Sequence, residues 1–230
     1  MKRGKLIVIE GCDGSGKETQ TKLLVNNLVG AGHWVSSLAF PRYDTAVGGR
    51  ILKYILKSPS AKYFDFSNLP PEVASLFYTA DRVESKPELE KMLSENDYVI
   101  LDRYFTSNLL HQGAKFEKVD DRNKYIQDFS KIELDILSIP RPDLVIYLQL
   151  PYEVSLKRIN NRSEVGGQST DSVERDLEYI KRSNEKGVSI AEHCGWKVVS
   201  CVEGEVELDR ETIARKIKEI VTSFEKMTYI

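Results

Sequence analysis

The sequence predicts an α/β fold, with a parallel sheet of about five strands flanked by helices in three layers. Three observations predict it. Short apolar, β-branched runs recur at 6–10, 34–40, 98–102, 143–150 and 197–202, the composition of strands buried on both faces. Helical patterns lie between and after these runs. Leu23, Leu24 and Leu28 mark one over 19–28; Leu89, Met92 and Leu93 mark another over 87–94. A long, charged pattern covers 172–192, and Ile213, Ile217, Ile220 and Val221 share one face over 210–224. The third observation is a glycine-rich loop that joins the first strand directly to the first helix. Strands alternating with helices build parallel βαβ units with right-handed crossovers.

At 230 residues the chain suits a single domain, 1–230, with a core that needs no disulfide or structural metal. The 33 Lys and Arg against 35 Asp and Glu give a net charge of −2, which disfavours a nucleic acid polymer or an anionic membrane as partner. No apolar run approaches the roughly 18–20 residues of a membrane span, and residues 1–10 lack the apolar core of a signal peptide. Cys12, Cys194 and Cys201 have no metal-ligand spacing, so the expectation is reduced, buried thiols in a cytoplasmic protein. Two segments read as irregular: 58–71, with three prolines, and 160–171, with Gly166-Gly167. The second fits either a mobile lid or a surface loop.

The loop is Gly11-Cys12-Asp13-Gly14-Ser15-Gly16-Lys17-Glu18-Thr19. It follows the phosphate-binding pattern G-x-x-x-x-G-K-[ST] up to its last position and makes the expected architecture a P-loop NTPase fold. Its glycines let successive N–H groups turn inward on phosphate oxygens, the helix N-terminus adds partial positive charge, and Lys17 supplies a flexible cation. Glu18 stands where a hydroxyl is expected to meet Mg²⁺. A carboxylate there can reach the metal through a water, turn outward, or mark a catalytically weak copy; the first is the expectation adopted.

The second ligand must be read elsewhere. Asn123-Lys124 is followed by Tyr125-Ile126, so the Asn-Lys-x-Asp guanine signature is missing. Arg42 and Arg103, by contrast, follow predicted strands, and Arg82 closes the stretch Leu76-Phe-Tyr78-Thr-Ala-Asp81-Arg82. Strand ends of a parallel sheet open into the ligand crevice, and arginine suits bidentate phosphate binding.

Over nearly its whole length the sequence resembles the thymidylate kinase family. The resemblance rests on the P-loop with Thr19-Gln20, on Phe40-Pro41-Arg42, on Tyr78-Thr-Ala-Asp81-Arg82, on Asp102-Arg103-Tyr104-x-x-Ser107-Asn108 with Gln112-Gly113, and on Arg141-Pro142-Asp143-Leu144. It implies phosphorylation of dTMP to dTDP by ATP with Mg²⁺, in a homodimer. Arg103 and Arg42 would hold the dTMP phosphate, Asp102 would organise Mg²⁺, and Asp13 would lie near the 3′-hydroxyl and the transferring phosphate. Arg82 would donate to the thymine carbonyl and Tyr78 would stack on the ring. Phe40, Ser107, Asn108 and Gln112 would complete the substrate pocket, with His111 where bacterial members often carry Tyr. Gly14 replaces an arginine that some members place in the loop, so Arg158 and Arg162, at and beyond the end of the helix after strand four, would supply cationic help from a lid at about 158–172. Two alternatives stay open on the residues: a kinase for another (deoxy)nucleoside monophosphate, and a nucleotide-binding regulatory module.

Overall fold

The computed structural model describes residues 3–57, 66–166 and 176–228. Five strands, β1 (Lys5–Gly11), β2 (Val35–Ala39), β3 (Tyr98–Asp102), β4 (Leu144–Gln149) and β5 (Lys197–Ser200), form an all-parallel sheet in the order β2-β3-β1-β4-β5. Ile7 lies opposite both Ile100 and Leu144, so β1 is central, and its apolar run is buried on both sides. Successive strand residues face opposite layers. Leu6, Val8, Val99 and Leu101 face one core; Ile7, Ile9, Ile100, Ile146 and Leu148 face the other.

The helices among the described residues are α1 (Lys17–Gly30), α2 (Val47–Lys57), α3 (Pro71–Glu95), α4 (Thr106–His111), α5 (Val119–Lys131), α6 (Tyr152–Gly166), α7 (Leu177–His193) and α8 (Arg210–Thr228). Leu24 and Leu28 of α1 and Ile213, Ile217 and Val221 of α8 cover one face of the sheet. Leu109 of α4, Ile126 and Phe129 of α5 and Ile190 of α7 cover the other. A short hairpin, β6 (Val202–Glu203) with β7 (Val206–Glu207), follows β5.

The predicted helix at 87–94 is only the end of α3, which runs 25 residues with Pro87 inside it. The apolar pattern misses the rest for a physical reason. The buried stripe of α3 is polar over its first half: Ser75, Thr79, Asp81, Arg82 and Ser85 precede Leu89 and Leu93. The stretch 58–65 lies outside the described residues, while Pro71 opens α3 as a first-turn proline can.

The strand order creates the crevice. From β1 the chain crosses to β2 on one side, and from β3 it crosses to β4 on the other. The loops leaving β1 and β3 therefore diverge, and their C-terminal ends flank a topological switch point.

One contact in this packing is unusually close. A Cβ at Gly187 of α7 would lie 2.0 Å from Tyr147 Oη of β4. Gly187→Ala is expected to cost about 1–3 kcal/mol from overpacking, read as a lowered thermal midpoint that Tyr147→Phe partly restores.

Candidate active site

The loop after β1 turns through Gly14 at φ 77° and Gly16 at φ 89°, values that glycine tolerates and side-chain-bearing residues rarely adopt. Gly14 is also pressed against α6, where a Cβ would meet the Ser155 carbonyl oxygen at 2.9 Å. Ser155 Oγ donates to the Asp13 carbonyl at 2.5 Å, and Arg158 Nη1 donates to the Gly14 carbonyl at 3.2 Å. Helix α6 thus braces the loop from outside. Lys17 is buried, with Nζ donating to the Cys12 carbonyl at 2.9 Å. Burial, reinforced by the positive charge of Arg103, pushes its pKa down. Cys12 Sγ sits 3.6 Å from Tyr147 Oη, and burial pushes its thiol up to about 11, which makes it inert.

Across the crevice, Arg103 follows β3 at φ 67°, a conformation that costs a non-glycine residue free energy and marks functional positions. Its guanidinium pairs through Nη2 with Asp13 of the loop and donates through Nη1 to His111 Nε2 at 3.1 Å. Burial opposes its charge, but Asp13, Glu10 and Asp102 outweigh that and keep it protonated. The tautomer of His111 follows from its other nitrogen. Ser183 Oγ gives its own hydrogen to the Tyr179 carbonyl at 2.9 Å and lies 3.2 Å from His111 Nδ1. Nδ1 therefore carries the proton, and Nε2 offers its lone pair to Arg103. The ring stacks on Tyr179, 5.9 Å between centroids and 7° from parallel. Burial and the adjacent Arg103 push the imidazole pKa down to about 3.

Beneath both walls lies Glu10, fully buried. It accepts from Thr106 Oγ1 and Ser107 Oγ at 2.8 Å each, and from the N–H groups of Tyr104 at 3.2 Å and Gly11 at 3.3 Å. Burial raises its pKa against the pull of Arg103 and these hydroxyls.

The third wall is α3. Tyr78 and Arg82 are one turn apart on it; Tyr78 is half-buried, edge-on to Phe66 at 5.7 Å. Arg82 is buried and paired with Glu133. Asn108 Nδ2 reaches the Ser75 carbonyl at 3.4 Å, and Gln112 Nε2 donates to Tyr179 Oη at 3.2 Å while its buried Oε1 has no partner among the described residues.

For a divalent cation, no cluster of three ligating side chains occurs among the described residues. Asp102, however, ends β3 beside the loop, half-buried, with no hydrogen bond to its carboxylate among the described residues. One free carboxylate plus phosphate oxygens is the donor set Mg²⁺ usually takes, so the residues present fit a metal carried in on a nucleotide.

Residues 9–213 match the family model for thymidylate kinase. The chain belongs to the thymidylate kinase family. It is 34% identical over 190 residues to a probable thymidylate kinase of Thermococcus gammatolerans, covering 82% of this chain and 84% of that one. It is 31% identical over 192 residues to the thymidylate kinase of Mycobacterium tuberculosis, covering 83% and 87%. The fold is similar to that of a solved thymidylate kinase from Candida albicans, with a TM-score of 0.68 at 22% identity over 97% of this chain and 93% of that one. Membership makes the chain an enzyme and implies ATP-dependent phosphorylation of dTMP.

Around this thymidylate kinase crevice the structure gathers Asp13, Lys17, Asp102, Arg103, His111 and Arg158, and it gives several other expected residues protein partners of their own. Glu18, expected on Mg²⁺ through a water, turns outward: its side chain is 76% exposed and accepts from Lys22 Nζ at 2.6 Å, one helical turn on. Thr19 is also exposed. Phe40, expected to touch substrate, is a core residue packed on Tyr104 at 5.7 Å. Ser107 spends its hydroxyl hydrogen on Glu10, and Arg42 turns onto α3, donating to Glu88 at 2.6 Å and Ser85 at 3.2 Å. Arg158 and Arg162 lie within α6, because no breaker interrupts the helix before Gly166; residues 167–172 of the expected lid, and the Arg162 side chain, lie outside the described residues. Missed entirely were Glu10, Glu133, Ser155, Tyr179 and Ser183. Glu10 alone left a local signal, a carboxylate closing an apolar strand just before the glycine loop.

His111 yields a pH prediction. Its folded pKa lies below its unfolded value of 6.5, so the unfolded chain binds the extra proton. The resulting stability is complete above about pH 6.5 and is lost as pH falls toward 3, by up to about 1.4 kcal/mol per pH unit. Denaturant titrations of the wild type and His111→Gln are expected to converge across this window, with the wild type showing the steeper fall.

Proposed function

We propose that the crevice between β1 and β3 transfers the γ-phosphoryl group of ATP to the 5′-phosphate of dTMP, with Mg²⁺. The observation that carries this reading is Arg103, held at positive φ between Asp13 and His111 and facing the loop that presents Lys17. A cation fixed there meets an acceptor phosphate, while the loop N–H groups and Lys17 meet the donor. The phosphate oxygen that attacks is already ionised, so no general base is required. Catalysis then consists of alignment and of neutralising charge on the transferring group.

In this reading Gly11 to Lys17 cradle the ATP phosphates. Arg103 and Arg42 hold the acceptor, Arg42 by exchanging Glu88 for phosphate. Asp13 orients Arg103 and the sugar end of the substrate. Tyr78 offers a stacking face to thymine, Arg82 a donor to its carbonyl, and Asn108 and Gln112 line the base. Asp102 would hold Mg²⁺, which supplies positive charge to the phosphates. Arg158 and Arg162 approach from α6 as part of a lid at about 158–172, whose closure would exclude water and suppress ATP hydrolysis. Residues 1–230 act as one catalytic domain.

A homodimer is supported by the outer face of α2 and α3, where Val47, Ile51, Tyr54, Val73, Leu76 and Val83 are all exposed. A patch of that kind marks an interaction surface, and a two-fold pairing would cover it with its own copy. A cytoplasmic setting is supported by the three free cysteines. No helix among the described residues is long and apolar enough to cross a membrane.

Two measurements check this. A coupled assay across a panel of nucleoside monophosphates is expected to favour dTMP; another preferred substrate, or binding without turnover, would displace the proposal. In the same assay Arg103→Ala is expected to raise KM for dTMP about 10- to 100-fold, the loss of one or two charged hydrogen bonds, with a much smaller change for ATP. For the dimer, Ile51→Glu with Leu76→Glu is expected to halve the mass seen by light scattering.

A further inference from the structure

Arg82 carries a partner that the reaction itself does not require. Its guanidinium is held side-on by Glu133: Nε donates to Oε2 at 3.2 Å and Nη2 pairs with Oε1. The two side chains are 2% and 0% exposed. Thr79 Oγ1 donates to the same Oε1 at 2.6 Å. Glu133 stands on a π-helical turn (Ile132–Ile136) that closes α5, and such turns recur at functional sites. The turn is closed by its own bond, from Leu137 N–H to the Ile132 carbonyl at 2.9 Å, and Ile139 N–H bonds the Glu133 carbonyl at 3.1 Å.

Stability gives a weak reason for such a pair. Burying two charges costs desolvation that their attraction only just offsets, and an apolar pair of the same volume would hold α3 to the turn as well. Orientation gives a stronger one. With Nε and Nη2 taken by a buried carboxylate, and Nη2 also 3.4 Å from Thr79 Oγ1, the guanidinium plane is fixed and Nη1 is the corner with no hydrogen bond among the described residues. That corner is a pure donor, because arginine has no acceptor atom. It lies on the helix that carries Tyr78 four residues earlier, on the same face.

We propose that Glu133 is a positioning residue for base selection: it locks Arg82 so that this one corner of the pocket presents a donor at a fixed place, favouring a ring carbonyl there over an exocyclic amine. The inference rests on the assignment of Arg82 to the base. A locked donor accepts the 4-carbonyl of thymine and leaves the 4-amino group of cytosine facing another donor. A site built to bond one group rejects an analogue that cannot answer it.

The test compares dTMP with dCMP at saturating ATP. Glu133→Gln keeps the shape of the side chain and removes the charge that fixes Arg82. The expected result is about a tenfold fall in the dTMP-to-dCMP ratio of kcat/KM, the equivalent of one misplaced charged hydrogen bond, with KM for ATP unchanged. A folded Glu133→Gln enzyme that loses thermal stability yet keeps the wild-type ratio would overturn the proposal, leaving Glu133 as packing alone. Should that variant fail to fold, Thr79→Val decides in its place. It removes the hydroxyl that bonds Oε1 and lies 3.4 Å from Arg82 Nη2, loosening both members of the pair while leaving both charges in place; a two- to fivefold fall in the ratio is expected, and an unaltered ratio overturns the proposal. Arg82→Ala separates the two levels. If it leaves the ratio unchanged, the base assignment of Arg82 fails; if it lowers the ratio and the Glu133 arm does not, only the positioning role fails.

Discussion

The active crevice depends on one buried carboxylate. Glu10 closes the central strand and accepts four hydrogen bonds, one from the first residue of the phosphate loop and three from the segment just after Arg103. A carboxylate without exposure is costly unless its oxygens are satisfied, and these are. The bonds join the end of β1 to the start of α4, the two chain segments that a switch point otherwise sends in opposite directions. The glycine-rich loop and Arg103 are therefore held in one frame, and the strained backbone of Arg103 can persist because its neighbours on the C-terminal side are anchored. The apolar strand core fixes where the sheet lies; Glu10 fixes how its two functional ends face each other.

Around that frame the charges come in matched sets. Lys17 and Arg103 share Asp13, Arg42 takes Glu88, Arg82 takes Glu133, and Arg158 takes Glu207. This is how a chain of net charge −2 gathers several cations in one crevice with a carboxylate to answer each. The pairs differ in how they can respond to a ligand. Those of Arg42 and Arg158 are partly exposed, so their carboxylates can return to water at little cost. Glu133 has no such exit, and its pairing fixes the orientation of Arg82. Exposed pairs leave their cations able to exchange partners; the buried pair holds its cation still.

Much of this was legible along the chain, and the failures share a cause. The strands, the phosphate loop and the positions of Arg42, Arg82 and Arg103 are visible because each depends on local composition or on a neighbouring strand end. Glu10 and Glu133 were not, because their partners stand 94 to 97 and 51 residues away, and a lone acid in an apolar stretch looks the same whether it is satisfied or not. Helix α3 hid for a related reason: a buried stripe of Ser, Thr, Asp and Arg has helical spacing but no hydrophobic signal. Glu18 is different. Lys22 lies four residues on, the spacing and order of a helical surface pair, so its outward turn was readable where the motif drew attention inward.

The support of Arg103 from the far side completes the logic of the frame. His111 reaches it only because Ser183 fixes the proton on Nδ1 and Tyr179 fixes the ring plane, and both come from α7. Gln112 also donates to Tyr179, so the same helix holds both His111 and Gln112 in place. A neutral imidazole is the chemistry this place requires. A protonated one would face Arg103 as a like charge and would have no lone pair to accept its N–H, and the depressed pKa keeps that form from being populated near neutrality. Asp13 alone could hold the guanidinium by attraction, but one anionic contact leaves it free to pivot. An acceptor on the opposite side that carries no charge removes the pivot without neutralising the cation, so that Arg103 is held in place by two partners while only one of them offsets its charge.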